Sequence, residues 1–240
     1  MMLLSLPSLD PPGCRTSADQ FTEEERPPTY NAENYTANLV RFSRAASEAR
    51  QEAEQDMFSY EMGLRQFGSI TELLSKLSYD LQVSYESFVT EFVRYPNDGV
   101  HRLLDLLKSI QLSQTEKKPN QGSVKKAQSD EYQTLFCLKT CTDQDDGALK
   151  ILDHPSGLFT VAVCMMSNFS KSRVLALQLL TRICHIPQGH SAVADALSML
   201  RLKFGENDKK IKSIEMNYLD CVSGEPVRFK FLIGSYCLFQ

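Results

Sequence analysis

The sequence predicts an all-α protein made of short helices that stack against one another. Between Tyr132 and Glu206, short apolar runs are separated at repeat-like intervals by glycine, proline and acidic residues. Residues 170–185 are apolar around almost the whole circumference of a helix, so other elements must cover that helix on several sides. Upstream, apolar residues recur at alternating steps of four and three, which is the spacing of one helix face.

Length, composition and charge limit the functional classes. The chain has 240 residues, of which 42% are hydrophobic, enough for one elongated domain or two small ones. The formal net charge is −4 and the basic residues are scattered, which argues against nucleic-acid binding. The apolar start, Met1–Leu6, lacks a basic flank and is ended by Pro7, so neither a signal peptide nor a membrane span is expected. We expect a cytoplasmic protein.

The N-terminal part is predicted to begin with disorder and to continue as two antiparallel helices. Residues 1–31 contain five of the ten prolines and an acidic run, a composition typical of disorder. A first helix is predicted from an apolar stripe at Tyr35, Leu39, Phe42, Ala46, Ala49 and Ala53. A second covers residues 70–81, with Ser69 as N-cap and Glu72 completing a capping box.

Turn signals divide the rest of the chain. Residues 95–99, Tyr-Pro-Asn-Asp-Gly, predict a turn before a buried helix that runs from Val100 to Ile110. A polar stretch then predicts a flexible loop at 113–128. Five further helices are predicted at 129–142, 144–152, 156–168, 170–185 and 189–204, the last two separated by Pro187.

No group of residues has the pattern of a catalytic or metal site. Cys137 and Cys141 lie four residues apart, but no second pair of Cys or His residues at a matching spacing completes a zinc site. His185 and His190 lack the intervening glutamate of a zinc-protease helix, and Pro187 separates them. The sequence contains no glycine-rich phosphate loop. We therefore expect a protein that is not an enzyme and has no metal or cofactor.

Several short motifs resemble one family of cytoskeletal regulators. They include Cys137-Leu138-Lys139, residues 151–155, residues 173–180, Gly189-His190 and Phe204-Gly205-Glu206. The residues of these motifs and their order resemble the armadillo-type FH3 region of formins, which follows a GTPase-binding segment. Residues 88–92, with Gly99 and Leu103-Leu104, resemble the place where that segment meets the first repeat. No part of the sequence resembles the FH1 or FH2 domain of formins. The sequence therefore resembles those formin relatives that have only the GTPase-binding (GBD) and FH3 regions, the type represented by multiple wing hairs in insects.

The resemblance implies a domain order and a partner groove. It implies a helical GTPase-binding segment at 32–112 and armadillo-like FH3 repeats at 129–240, with residues 207–223 as an insertion and an incomplete C-terminal end. In formins, an amphipathic tail helix docks on positions that match Lys139, Asp143, Arg182 and His185. Three of these residues, Asp143, Arg182 and His185, depart from the family pattern, which more often has an amide, a small residue and an aliphatic residue at these positions. Burying an arginine and a histidine without partners against an apolar helix would be costly, so docking of such a tail helix is not expected. The alternative is that these are ordinary solvated charges at helix ends.

The resemblance also implies a function, which is regulation of actin cytoskeleton organisation by a formin-like module that binds a small GTPase and lacks FH1 and FH2. The expected partners are a Rho-family GTPase in its GTP form and actin or actin regulators, including formins. The expected location is the cytoplasm, at the actin cytoskeleton or the cell cortex. The alternative is a helical scaffold without a nucleotide switch, or a homodimer that pairs through the 35–53 stripe. A GTPase that binds equally well with GDP and with GTP would favour this alternative.

Overall fold

The computed structural model describes residues 26–48, 66–114 and 121–204, and these ranges are helical with short connections. The helices are α1 Ala32–Glu48, α2 Ile70–Val83, α3 Glu86–Val93, α4 Gly99–Gln114, α5 Gln121–Cys141, α6 Asp145–Asp153, α7 Gly157–Val163, α8 Ser170–Cys184 and α9 Gly189–Phe204. A 3₁₀ turn, Cys164–Met166, follows α7. Within the described ranges there is no β-strand, and the all-α, armadillo-like prediction is confirmed.

One hydrophobic core joins the predicted GTPase-binding segment to the predicted repeats. Helix α1 packs on α4 and α2, both α2 and α4 pack on α5, and α5 packs on α8. Helix α8 in turn contacts α7 and α9. Buried side chains form a continuous cluster from Ala32 in α1 to Leu200 in α9. Helices of both predicted domains therefore pack on α5, and no gap in packing separates the two.

The predicted loop at 113–128 is largely wrong. Helix α4 continues to Gln114 and helix α5 already begins at Gln121, so residues 121–128 are helical. The first two turns of α5 are polar and mostly exposed, which removes the apolar period on which the sequence prediction depends. Lysine, alanine and glutamine are nevertheless good helix formers, and they extend the helix beyond its packed part.

The predicted N-cap of α2 and the turn before α4 are confirmed, but the capping glutamate bonds a different backbone N–H from the one expected in a capping box. The hydroxyl of Ser69 caps α2 by accepting a hydrogen bond from the backbone N–H of Glu72 at 3.2 Å. The Glu72 carboxylate accepts from the backbone N–H of Gly68 at 3.0 Å, one residue before the N-cap. The turn before α4 is also present, with Asp98 in the left-handed region at φ 51°. A Cβ at Gly99 would collide with the Phe92 ring, so glycine is required there.

Residues 26–31, predicted to be disordered, form a strap along α2, and we call them the N-terminal strap. The completely buried carboxylate of Asp80 holds it in place. Asp80 pairs with Arg26 at 2.9 Å and accepts from the backbone N–H of Thr29 at 2.7 Å. The hydroxyl of Tyr35 on α1 donates to the same carboxylate at 2.6 Å, and burial, followed by this hydrogen bond, raises the pKa of Tyr35.

Some sequence predictions fall on residues that the structure does not describe. Residues 1–25 of the predicted disordered segment lie outside the described ranges, as do Ala49 and Ala53 of the α1 stripe. The predicted insertion 207–223 and the predicted C-terminal end also lie outside them.

Helix α8 is the spine that the sequence predicts. Its buried apolar side chains are Leu175, Ala176, Leu179, Leu180 and Ile183. Contacts with α5, α6, α7 and α9 surround it. The helix ends where predicted: His185 is its C-cap, and α9 begins at Gly189, where a Cβ would collide with the carbonyl of Ile183.

Leu179→Asp should abolish the cooperative unfolding of the protein. Leu179 is completely buried, and an unpaired carboxylate in an apolar site should cost more than about 4 kcal/mol of unfolding free energy. Lys171→Asp places the same side chain at an exposed position of the same helix and serves as the control. Urea unfolding followed by circular dichroism gives the comparison; equal midpoints for the two variants would contradict the spine role.

Candidate partner-binding surfaces

A row of polar contacts joins the α3–α4 region to α6, and we call it the polar seam. Arg94, just after α3, holds Asp146 of α6 with two hydrogen bonds, at 2.8 and 3.0 Å. Asp98, just before α4, pairs with Lys150 of α6 at 2.7 Å. In both of these pairs the two partners are 52 residues apart in the sequence. His101 of α4 also contacts the carbonyl of Lys150, which is 49 residues further along the chain. Helix α4 therefore runs alongside α6 in the same direction, as helices of successive repeats do.

Two histidines lie inside the polar seam. His101 contacts Asp98 through Nδ1 at 2.7 Å and the carbonyl of Lys150 through Nε2 at 2.9 Å. Its ring meets that of His154 edge to face, with the centroids 5.1 Å apart. The Nε2 of His154 lies 3.3 Å from Asp105. Burial lowers the pKa of His154, although the neighbouring Asp105 carboxylate acts in the opposite direction.

The polar seam also stabilises the negative charge of Asp98. Partial burial acts to raise its pKa, but the hydrogen bond from Lys150 and the charges of His101 and Lys150 lower it below the usual value. An ionised Asp98 therefore holds α4 and α6 together at neutral pH. This carboxylate is also the residue with positive φ in the turn, so the turn geometry places it in the polar seam.

The turn between α3 and α4 exposes an aromatic ring next to a shallow concavity. The Tyr95 side chain is 88% exposed. The concavity, of about 480 Å³, lies between α1 and the turn and is lined by Glu33, Thr36, Ala37, Val40, Glu91, Pro96, Asn97 and Arg102. Asn97 fixes one wall by donating from its side chain to the carbonyl of Glu91 at 3.0 Å. Apolar, acidic and basic groups thus meet beside an exposed tyrosine.

The structure gathers three of the four residues of the predicted partner groove. The Lys139 ammonium lies 3.8 Å from Asp143 at the C-terminal end of α5. Arg182 of α8 donates to the carbonyl of Thr142 at 3.1 Å and forms an ion pair with Asp145. His185 lies one turn beyond Arg182 and is exposed.

The contacts of Arg182 change the expected energetics of the groove. An arginine buried without partners against an apolar helix would be costly, whereas the folded protein gives the Arg182 guanidinium a carbonyl and a carboxylate. The last carbonyls of a helix lack partners within that helix, and Arg182 satisfies one of them at the end of α5. The residue therefore braces α5 and α8.

The cysteines of α5 are packed in the core. Cys137 and Cys141 are completely buried, and burial, followed by the charge of Asp143, raises the pKa of Cys141 to about 12. A thiol of this kind behaves as a small apolar side chain. Among the described residues, no three His, Cys, Asp or Glu side chains are grouped to hold a metal ion. No helix in those ranges is long and apolar enough to cross a membrane.

Sequence reasoning missed the polar seam and the Asp80 anchor. The pair Asp98 and His101, three residues apart at the start of a helix, is a signal that both face one side. Their partners lie about 50 residues further on, and no local pattern identifies those. Asp80 sits in an otherwise amphipathic helix, where an acidic residue is normally assigned to the solvated face.

Arg182→Gln should lower the free energy of unfolding by about 1–2 kcal/mol, because a charged donor is lost from a backbone carbonyl and a carboxylate. Lys139→Ala should cost less than about 0.5 kcal/mol, because its pair with Asp143 is long and half-exposed. Denaturant unfolding measures both. Equal losses for the two variants would show that Arg182 does not brace the helices.

The stability of the protein should fall as the pH is lowered from about 7 to about 5, partly because of His154. Its pKa is lowered in the folded state, so the unfolded chain binds a proton first and acid favours unfolding. His154→Gln should flatten this slope, whereas His185→Gln changes an exposed histidine and should leave it unchanged. Unfolding free energies measured across this pH range test the difference; parallel curves for the parent and His154→Gln would refute it.

Comparison with known proteins gives the family. A family model described as the Diaphanous GTPase-binding Domain matches residues 23–185, which covers the N-terminal strap and helices α1–α8. Disheveled-associated activator of morphogenesis 2 from Gallus gallus and from Homo sapiens is 24% identical over 131 residues, and activator 1 from Mus musculus is 23% identical over 127 residues. Each match covers 53% of this chain and 11% of the relative, so it spans about a tenth of those proteins. The formin resemblance is confirmed, and the chain belongs to the family of Diaphanous GTPase-binding domains.

Proposed function

We propose that this chain is a non-catalytic, formin-type regulatory module that binds a Rho-family GTPase in its GTP form and thereby directs actin regulation. The observation that carries the proposal is the match to a GTPase-binding domain across residues 23–185. The shared core supports it, because the GTPase-binding helices and the first repeat helices can present one fixed surface. A preformed surface reduces the entropy cost of binding.

We place the GTPase on the surface around Tyr95, Arg94 and the neighbouring concavity. Tyrosine and arginine are the residue types that most often dominate binding energy at interfaces. The Tyr95 ring is almost fully exposed, so a partner would bury most of its apolar area. The polar seam continues this surface from α3 and α4 onto α6, where Asp146 faces solvent. A GTPase lying there would touch both the N-terminal helices and the first repeat.

The preference for the GTP form follows from the chemistry of such switches. The switch segments of these GTPases are ordered by the γ-phosphate and its magnesium ion and are released on hydrolysis. A rigid surface that contacts those segments binds the GTP form better, because the GDP form must pay to order them. The difference between the affinities for the GTP form and the GDP form sets how strongly the nucleotide state of the GTPase changes binding.

We propose that the groove at Lys139, Asp143, Arg182 and His185 holds a second partner, an actin regulator such as another formin. The groove is bordered by both signs of charge, since Arg182 pairs with Asp145 and Lys139 lies near Asp143. A partner segment with its own acidic and basic side chains fits this border better than a purely apolar helix. With such a partner, we propose that the protein acts at the actin cytoskeleton or the cell cortex.

Binding of the purified chain to Rho, Rac and Cdc42, each loaded with GDP or with a non-hydrolysable GTP analogue, tests the proposal. We expect at least one GTPase to bind with a dissociation constant about tenfold or more lower in the GTP-analogue state. Equal affinity in both states for every GTPase would overturn the proposal and favour a scaffold without a switch.

Tyr95→Ala should weaken GTPase binding by about tenfold or more, because interface tyrosines commonly contribute at least 1.4 kcal/mol. Leu202→Ala is the matched control, since it also removes a large exposed apolar side chain, 81% exposed, but on α9 beyond the family match. Calorimetric titration of the parent and the two variants gives the affinities. Similar affinities for all three would place the GTPase elsewhere.

A further inference from the structure

We propose that Thr29 is a phosphorylation site for an arginine-directed protein kinase, and that a phosphate on Thr29 detaches the N-terminal strap from α2. The inference goes beyond GTPase binding and does not depend on it. It rests on the position of one exposed hydroxyl group against the buried carboxylate of Asp80.

The geometry places the Thr29 hydroxyl between solvent and Asp80. Thr29 is exposed, and its Oγ1 donates to Oδ1 of Asp80 at 3.1 Å. The backbone N–H of the same residue donates to Oδ2 at 2.7 Å. Asp80 also accepts from Tyr35 and pairs with Arg26, so all its contacts converge where the strap meets α1 and α2. A change at Thr29 therefore acts on the carboxylate to which both Arg26 and Thr29 of the strap are bound.

The sequence around Thr29 suits a kinase that selects arginine. Arg26 precedes the acceptor by three residues, in Arg26-Pro27-Pro28-Thr29. The side chain of Arg26 is about one-third exposed and is partly accessible even in the closed strap. Protein kinases commonly select their substrates by the pattern of charged residues around the acceptor.

The backbone of the strap makes few hydrogen bonds. Arg26 donates from its backbone to the carbonyl of Val83 at 3.0 Å, and Thr29 donates to Asp80, but Pro27 and Pro28 have no N–H to contribute. A segment with so few backbone hydrogen bonds opens locally at lower cost than the helices. The open strap can then enter a kinase active site in an extended form.

The transfer itself needs ATP and the kinase. The Thr29 oxygen attacks the γ-phosphorus of ATP, and a new oxygen–phosphorus bond forms as the bond to the β–γ bridging oxygen breaks. ADP leaves with that electron pair, and the hydroxyl proton passes to the catalytic base of the kinase and on to solvent. A donor group is thereby replaced by an ester of a phosphate carrying nearly two negative charges.

Phosphate on Thr29 acts against the closed strap in three ways. The hydrogen bond from the Thr29 hydroxyl to Asp80 is lost, and the phosphate lies beside a carboxylate of the same sign. Arg26, whose Nη1 is already 3.5 Å from the Thr29 oxygen, is drawn from Asp80 to the phosphate. Once released, the strap withdraws Tyr30 from its packing against Tyr35 and Phe67, whose ring centroids lie 5.7 and 4.9 Å from that of Tyr30.

The test begins with a mapping experiment on the full chain. The protein is incubated with ATP and a calmodulin-dependent protein kinase that selects arginine three residues before the acceptor, and phosphate is located by mass spectrometry. We expect phosphate on Thr29 in the parent and in Ser47→Ala, and none there in Thr29→Ala. Ser47 is the matched control because it follows Arg44 at the same spacing and lies in α1. Phosphate on other residues with none on Thr29 would overturn the proposal.

The second part measures release of the strap by hydrogen exchange. We expect amide exchange in residues 26–31 to become faster by about an order of magnitude or more in the phosphorylated protein and in Thr29→Glu. Thr29→Val loses the hydroxyl without gaining charge and should show a smaller change. Unchanged exchange on phosphorylation, or equal exchange in Thr29→Val and Thr29→Glu, would show that the charge does not release the strap.

Discussion

The structure depends on helix α5, which packs on the N-terminal helices and on the repeat helices at once. Leu135, Leu138 and Cys137 are completely buried between these two groups, and the Cys137 thiol even reaches the carbonyl of Leu74 in α2. On the same side, Thr71 of α2 donates to Asp130 of α5 at 2.7 Å. Because well-packed interiors deform little, a partner that binds the N-terminal helices acts on a body that includes the repeats.

Similar offsets in sequence, 49 to 52 residues, relate the partners in the polar seam and in its continuation onto α7. Partners 49 residues apart occur at three levels of α4: His101 with Lys150, Asp105 with His154, and Gln111 with Thr160. A constant offset requires that α4 and the α6–α7 segment run side by side in one direction, as equivalent helices of neighbouring repeats do. Helix α4, the last helix of the predicted GTPase-binding segment, is therefore arranged as the first helix of a repeat stack would be.

The sequence predicted those features that depend on local spacing, and missed those that depend on distant partners. The period of α8, the Ser69 cap and the turn at Asp98 and Gly99 are local and were predicted. The beginning of α5 was missed because its first turns are held by helix propensity without an apolar face. The strap at Arg26 and Thr29 was missed because proline-rich, acidic composition is typical of disorder, and its order depends on a carboxylate more than 50 residues away.

Stability and the proposed recognition surface depend on different parts of this molecule. The apolar cluster fixes the helices, whereas the Arg94–Asp146 pair has side chains that are 65% and 48% exposed. Exposed ion pairs contribute little to stability, so a partner can replace one of the two groups at small cost to the fold. The arginine and the tyrosine beside it are therefore available for binding while the core keeps their spacing. A surface of this kind can vary its partner by substitution without changing the helical framework, which is how a regulatory module can acquire specificity for one GTPase.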